Sequence, residues 1–499
     1  MRRDRSAAGT DAVVVGGGIG GLVAAWELTR RGMRVVVLEA SERAGGPVRG
    51  GAFESLPAVP VDLGAESFAV RGGAVERLAE ELGLPVEAPA TLGAWGFAAG
   101  RAFPLPAAGV LGIPSRPWAA DVRRAVGWPG AFRGTLDRVL PRGVADLGDL
   151  GALVRSRMGR RITDRLVSAV AAGVHSAPLD RLDVDAVAPG LRAAFERTGS
   201  LSAAVATLRA AAPPGAAVRG IDGGVHALVD ELVGRLDVRT SHRVTDIGPD
   251  GGWVVTAATP DGPVVFRAAR LVVATAGAAP LLVRRWPGQP GPRPGTQEVP
   301  SPSPELPVPD PGADIWLAAL LVAAPELDAA PRGTGMLVAA GDDLRLGGRD
   351  QAPVRAKALT HATAKWPWLA RRVRDAAGPG MHVVRLSYGR IGEPGREPTR
   401  EEAVRDASAL LGTDLTGRLR GFVTQRWEGA LPPPTPTYRA QVQHFLDVAR
   451  GVPGLAVTGG WVAGTGLAAI VAQAREAAAV VASADATADP ALPHLDDKM

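Results

Sequence analysis

A chain of 499 residues with 46% hydrophobic content is long enough for two or three domains and a substantial core. Its net charge of +5 is skewed, because Lys357, Lys365 and Lys498 are the lysines and 53 of the 56 basic residues are therefore arginine; these are scattered, with no basic helix interleaved with aromatics, which argues against nucleic acid and suits an acidic substrate or an anionic surface. The absence of cysteine excludes disulfides, thiolate metal sites, a cysteine nucleophile and cofactor attachment through cysteine, and the histidines at 175, 226, 242, 361, 382, 444 and 494 show no metal-ligand spacing, so no metal is expected.

The first residues, MRRDRSAAGT, contain no apolar stretch of the signal-peptide kind. No charge-free apolar run reaches the roughly 18 residues that span a bilayer. The expected compartment is the reducing cytoplasm.

Residues 11–40 read DAVVVGGGIGGLVAAWELTRRGMRVVVLEA. Residues 13–15 form an apolar strand, residues 20–31 a helix and residues 34–38 a second strand. Between strand and helix, Gly16, Gly18 and Gly21 make a G-x-G-x-x-G turn. Gly16 permits the tight turn, Gly18 admits backbone to a pyrophosphate, and Gly21 lets helix pack on strand. The helix start, with Gly17, Ile19 and Gly20, offers free N–H groups and a positive dipole end to phosphates. Glu39, 23 residues after Gly16, ends the second strand and can accept from both ribose hydroxyls. Strand, glycines, helix, strand and acid in register predict a dinucleotide site. The residues after Ala40 choose the dinucleotide. Glu42, Arg43, Ala44, Gly45 and Gly46 place two adjacent glycines beside the same pyrophosphate, with Arg43 and Arg49 to offset its charge. This E-R-x-G-G extension favours FAD over NAD.

Residues 61–84 read as a loop and an amphipathic helix ending at Gly83, and 95–114 as short strands and turns. From 117 to 210 the pattern is helical, with Val154, Met158, Ile162, Leu166 and Val170 repeating every four residues along one predicted buried helix face. A helix is expected after Ile221–His226, strands across 236–275, and a buried strand at 271–275 returning to the first sheet. Residues 286–313, dense in Pro, Gly and Ser, are expected to be a disordered or extended insertion. Strands follow at 315–322 and 381–388, a helix at 399–412, a strand at 454–457 and a last helix at 465–483, before a polar tail. The predicted fold is therefore α/β: a split Rossmann-like FAD-binding domain (1–90, 211–285 and 431–483) with an inserted α+β substrate domain (91–116 and 314–430), a mostly helical subdomain (117–210), the insertion (286–313) and a disordered tail (484–499).

Several separated segments give the chain a family resemblance. Asp62-Leu63-Gly64-Ala65-Glu66-Ser67, Leu105-Pro106 with Leu111-Gly112-Ile113-Pro114, Ala172-Gly173-Val174-His175-Ser176, Gly199-Ser200-Leu201 and Gly223-Gly224 are its first elements. Lys357-Ala358-Leu359-Thr360, Lys365-Trp366-Pro367, Arg385-Leu386-Ser387-Tyr388-Gly389-Arg390 and Gly459-Gly460-Trp461-Val462-Ala463-Gly464-Thr465-Gly466-Leu467 follow. Over about 11–483, outside the Pro-rich stretch, the chain resembles the FAD-dependent protoporphyrinogen and coproporphyrinogen III oxidases of the flavin amine oxidase superfamily. The resemblance implies non-covalent FAD, held by Gly16, Gly17, Gly18, Ile19, Gly20, Gly21, Glu39, Ala40, Arg43, Gly45, Gly46, Gly64, Ala65, Glu66, Ser67, Val244, Trp427, Gly459, Thr465, Gly466 and Leu467. The helix starting near Thr465 would stabilise negative charge at the reduced flavin. The sequence departs from the family at Gly460–Trp461, at Pro47–Gly50 and at 430–440, where a family histidine is not assignable.

The resemblance further implies oxidation of a tetrapyrrole in heme biosynthesis, most concretely coproporphyrinogen III to coproporphyrin III. Hydride would leave a meso carbon for the flavin and a proton would leave an N–H, three times over, with oxygen reduced to hydrogen peroxide. No catalytic base is assignable. Arg71 and Arg101, flanking G-A-E-S and P-L-P, are candidate partners for the substrate's propionates. Implied partners are the tetrapyrrole, oxygen, a ferrochelatase of the same pathway and, for the helical segment, a peripheral membrane surface. Protoporphyrinogen IX is an alternative substrate. Other readings are a flavin amine oxidase, disfavoured because Tyr388 and Tyr438 are the chain's tyrosines, a phytoene-type desaturase whose C-terminal signature is missing, and a catalytically idle flavoprotein partner.

Overall fold

The computed structural model describes residues 9–211, 218–286, 304–340, 353–430, 432 and 435–483. Strand Ala12–Val15 is wholly apolar and buried, as a strand covered on both faces must be. It lies at the centre of a five-stranded parallel sheet, in the order Asp237–Arg239, Val35–Leu38, Ala12–Val15, Arg270–Val273, Leu455–Val457. Three sequence-distant pieces thus build one nucleotide-binding layer. Helices Ile19–Arg30 and Leu467–Ser483 pack together on one face of it. An antiparallel trio, Arg243–Pro249, Trp253–Thr259 and Gly262–Ala268, packs on the other with Phe445 and Trp286.

The second layer is a seven-stranded sheet in the order Leu419–Ala430, Ala313–Ala323, Met381–Tyr388, Ala358–His361, Gly335–Val338, Trp95–Ala98, Arg101–Pro104. Its pairings are antiparallel except that of Gly335–Val338 with Trp95–Ala98. Side chains of Met381–Tyr388 alternate between faces. Val384, Leu386 and Tyr388 join a core with helix Arg400–Leu411. Val383 joins another with Leu63, Val61 and Phe53, so Arg385 and Ser387 share the face that meets the nucleotide-binding layer. Farther along the sheet, Ala98, Phe103 and Leu337 pack into the core of the helical subdomain.

Two expectations change here, and two elements are new. The four-residue apolar repeat does not run along a single α-helix. Gly159, at φ 85°, breaks it after helix Leu150–Met158, and the chain resumes as a π-helix over Thr163–Ala172. The wider π turn rotates the buried face, so Val167 and Ala171 are buried while Val170 is only half-buried. The Pro-rich stretch is docked at both ends rather than disordered there: Trp286 is buried, and Leu306 packs on the same core; residues 287–303 lie outside the described residues. Helix Pro436–Arg450 and strand Leu419–Ala430 were not anticipated. The expected tail, 484–499, also lies outside the described residues.

The Gly199-Ser200-Leu201 element has a structural reason. Asp137, fully buried, accepts from Ser200 Oγ (2.7 Å), Leu201 N (3.0 Å), Ser202 N (2.8 Å) and Arg157 Nε (2.9 Å). Arg157 is itself fully buried and also donates to Gly199 O at 2.9 Å. Asp137→Ala would strand that guanidinium without a counter-charge. It is expected to cost about 3–5 kcal/mol, read as a lower urea midpoint of the helical subdomain.

Candidate functional site

The site begins at the first glycine turn. Gly16 has φ 107°, and a Cβ on Gly21 would lie 2.0 Å from Gly16 O, so helix and strand meet as closely as the pattern predicts. A Cβ on Gly20 would lie 2.8 Å from Gly459 Cα and 3.2 Å from Ile470 Cγ2. The turn, the 459–467 segment and the helix following it are therefore in contact. Gly18 pairs with Gly45 as an isolated bridge, and Gly45 N donates to Gly17 O at 2.8 Å. Gly45 and Gly46 hold φ of 111° and 56°, which favour glycine. By contrast, a Cβ on Gly18 meets nothing within 4 Å. A Cβ on Gly46 would come no nearer than 3.8 Å, to Gly18 Cα, so the two glycines border an open cradle that fits a pyrophosphate.

Glu39 stands at the end of the second strand as expected. Its Oε2 accepts from Gly17 N at 2.8 Å, and its Oε1 from Ser41 N (2.8 Å) and Ser41 Oγ (2.7 Å). A carboxylate has about four acceptor positions, so room remains for a ribose hydroxyl. Ala40 follows directly, and Arg43 sits in the same loop, its carbonyl accepting from Ser41 Oγ at 2.7 Å. Glu39 N donates to Arg239 O and His242 N to Glu39 O, each at 2.8 Å, which brings the strand carrying Val244 alongside.

The second part of the site is the Gly64–Ser67 segment. Ala65 N donates to Pro47 O at 3.0 Å, and a Cβ on Gly64 would meet that oxygen at 1.8 Å. Trp427 Nε1 donates to Leu63 O at 2.9 Å, which places Trp427 beside this segment. Asp62, just before it, accepts from His226 Nδ1 at 2.7 Å and from the backbone of Val225 and His226. Burial opposes protonation of His226, and Asp62 more than reverses this, raising its pKa.

Glu66 is the residue whose role the sequence did not reveal. Its carboxylate is held between the Lys365 ammonium and the Arg385 guanidinium, and Arg385 also donates to Gly64 O at 2.8 Å. Burial works against the charge on Glu66, but the two cations outweigh it and hold the carboxyl at about 2. Three motifs noted separately, G-A-E-S, K-W-P and R-x-S-x-G-R, are thus one ionic cluster with one surplus positive charge. Each motif was legible in the sequence; their juxtaposition was not.

Thr465 and Gly466 are exposed at the start of helix Leu467–Ser483, with Leu467 buried. Trp461, a departure from the family motif, packs against Phe445 at 5.7 Å between ring centroids, and its carbonyl accepts from Tyr438 Oη. The unusual tryptophan is thus matched by the unanticipated helix. Arg71 and Arg101 are both exposed, and among the described residues neither side chain forms a hydrogen bond or ion pair, although the backbone of Arg101 pairs with Ala98. The structure does not bring them together: Arg71 precedes helix Ala74–Leu82, whereas Arg101 lies on the edge strand of the seven-stranded sheet. Among the described residues no group of acidic and histidine side chains is arranged to hold a metal ion, and no helix is long and apolar enough to cross a membrane.

Known proteins resemble this arrangement. The family model described as flavin containing amine oxidoreductase matches residues 19–307. A coproporphyrinogen III oxidase of Mycobacterium leprae (strain TN) is 30% identical over 482 residues, covering 93% of this chain and 96% of that protein. One from Propionibacterium freudenreichii subsp. freudenreichii is 36% identical over a shorter 184 residues, covering 36% of this chain and 34% of the relative. Among solved structures, an Exiguobacterium sp. 255-15 protein assigned as a protoporphyrinogen oxidase superposes with a TM-score of 0.71 at 21% identity, covering 95% of this chain and 98% of that one. A putrescine oxidase superposes with a TM-score of 0.58 at 14% identity, over 95% and 98% of the two chains. At those identities the structures share the fold.

Proposed function

The chain belongs to the FAD-dependent porphyrinogen oxidases of the flavin-containing amine oxidoreductase family, and on that premise we propose that its substrate is coproporphyrinogen III, oxidised to coproporphyrin III with oxygen as acceptor. We assign FAD to the cradle just described. The glycine turn and Gly45–Gly46 would take the pyrophosphate, Glu39 the ribose, and Gly64–Ser67, Trp427 and Gly459–Leu467 the ring system. When bound, FAD supplies the hydride acceptor. The protein binds and orients a polyanionic macrocycle and shields it from water.

The observation that carries this reading is the single sheet face joining two ends of the site. Arg385 pairs across to Thr360, Ser387 to Ala358, and Ala358 in turn to Leu337. The Glu66 cluster lies at one end of this face and the helical subdomain covers the other. A broad wall of this kind suits a large macrocycle that becomes planar as it is oxidised. Tyr388, one of the chain's tyrosines, points to the opposite face and is buried there, so it cannot wall an amine-sized cage before the flavin. Anaerobic mixing of the holoprotein with coproporphyrinogen III should bleach the flavin, more slowly with protoporphyrinogen IX. Bleaching by neither, or by an amine instead, would refute the assignment.

The helical subdomain also supports the peripheral membrane reading. Trp128 and Phe132, one helical turn apart, are 63% and 59% exposed, and Trp118 stacks edge-on to Trp128 with Arg123 4.6 Å above the Trp128 ring. Arg116, Arg124, Arg138 and Arg142 are exposed nearby in sequence. Exposed aromatic side chains with an arginine stacked on them fit an anionic lipid surface. Replacing Trp128 and Phe132 together by serine should reduce co-sedimentation with phosphatidylglycerol vesicles about tenfold; unchanged sedimentation would discard this surface.

A further inference from the structure

Beneath the helical subdomain, at the end of the same sheet, lies a second cationic cluster. Lys357 is 3% exposed and Arg390 7%. Lys357 leads into strand Ala358–His361, and its ammonium donates to Ser176 Oγ. Arg390 donates from Nη2 to Val338 O at 3.1 Å and reaches Glu393 Oε1 at 3.4 Å, while its Nε is buried without a partner. Glu393 is half exposed. An ammonium carries three donors and a guanidinium five. Among the described residues the cluster satisfies one of the former and two of the latter, and no carboxylate lies within ion-pair distance of Lys357. Burying two cations this way is costly unless an anion completes them. Burial first, then the charge of Arg390, holds Lys357 down to about 7, with Glu393 opposing.

The loop above the cluster is strained. Ser176 is fully buried yet holds φ 55°, a conformation that side chains other than glycine seldom adopt. It follows the π-helix, and its carbonyl is fixed by Ile391 N at 2.8 Å. Strain of this kind, next to a π-helix, gathers at functional sites. The loop sits on the wall described above: a Cβ on Gly173 would lie 3.6 Å from Leu337 Cδ2. Arg390 stands five residues beyond Arg385, at most about 17 Å along an extended chain.

We propose that Lys357, Arg390 and Ser176 form a carboxylate-binding site that takes a propionate arm of the substrate at the end of the cleft away from the Glu66 cluster. The assignment rests on the porphyrinogen reading for its ligand, though not for its chemistry. A free small anion would use the same donors. A tetra-acid substrate has arms to fill this site while others reach solvent-facing arginines.

The test uses FAD-loaded protein, with flavin content confirming the fold of each variant. Binding of coproporphyrin III and of its tetramethyl ester is followed by quenching of tryptophan fluorescence. Lys357→Met and the milder Ser176→Ala should weaken the acid tenfold or more and leave the ester unchanged, and Lys357→Arg should restore most of the loss. Equal weakening of acid and ester, or no weakening, overturns the site. Sodium propionate should raise the thermal midpoint of the wild type and not of Lys357→Met; that response stands even if no porphyrinogen reduces the flavin, so the two readings fail separately. Protection by phosphate that coproporphyrin III does not displace would show a free-anion site and overturn the substrate-arm assignment.

Discussion

Gly18→Ala is expected to fold normally and to lose FAD. Gly18 holds φ −67° and ψ 169°, a backbone that any residue adopts, and the added methyl meets no atom within 4 Å. The apoprotein should therefore show an unchanged urea midpoint. The methyl would instead occupy the open cradle against Gly46, where a pyrophosphate has to approach backbone. Losing that approach should weaken FAD by about a hundredfold, roughly 2.7 kcal/mol, seen as loss of flavin absorbance after gel filtration. Gly21→Ala is the contrasting control. Its methyl would collide with Gly16 O at 2.0 Å, so stability and flavin should fall together. Stoichiometric flavin in Gly18→Ala would remove the pyrophosphate from this turn. Glu39→Ala should lower occupancy more gently, because Glu39 also braces Gly17 N and Ser41.

Glu66→Ala should have the largest effect on stability within the site. It removes the anion from between two cations that have little solvent around them, the side chains of Arg385 and Lys365 being 9% and 18% exposed. Breaking such a pair costs about 3–5 kcal/mol when fully buried, and partial exposure brings the expectation to roughly 3 kcal/mol. The same cluster sets a pH dependence. Because the folded pKa of Glu66, about 2, lies below the ordinary carboxylate value, its contribution is complete above roughly pH 4.5 and is lost as the pH falls toward 2. The wild type should lose stability across that window faster than Glu66→Ala does, measured as urea midpoints at successive pH values. Parallel profiles would show that Glu66 is not held ionised by Lys365 and Arg385.

The departures from family pattern have physical explanations in the structure. Trp461 replaces a smaller polar position but finds Phe445 and Tyr438, both on a helix whose amphipathic text was masked by the prolines before it. The apolar repeat from Val154 to Val170 suggested a single helix because periodicity reports spacing, not winding; Gly159 and the π turn are decided by what packs around them. Arg71 and Arg101 flank motifs in sequence but stand on different elements of the fold, whereas Lys357 and Arg390, which begin and end two of the family motifs, are buried.

By itself the sequence determined the unit from Gly16 to Glu39 and the choice of FAD, because each depends on residues contiguous along strand, turn and helix, and it pointed to the family through short motifs that are each legible locally although they lie far apart. Only the tertiary structure decided that Glu66 meets Lys365 and Arg385, 299 and 319 residues away, and that Tyr388 turns from the site while Arg385 turns toward it. Those outcomes depend on sheet order and register, and no local pattern of polarity encodes which distant strand will lie alongside.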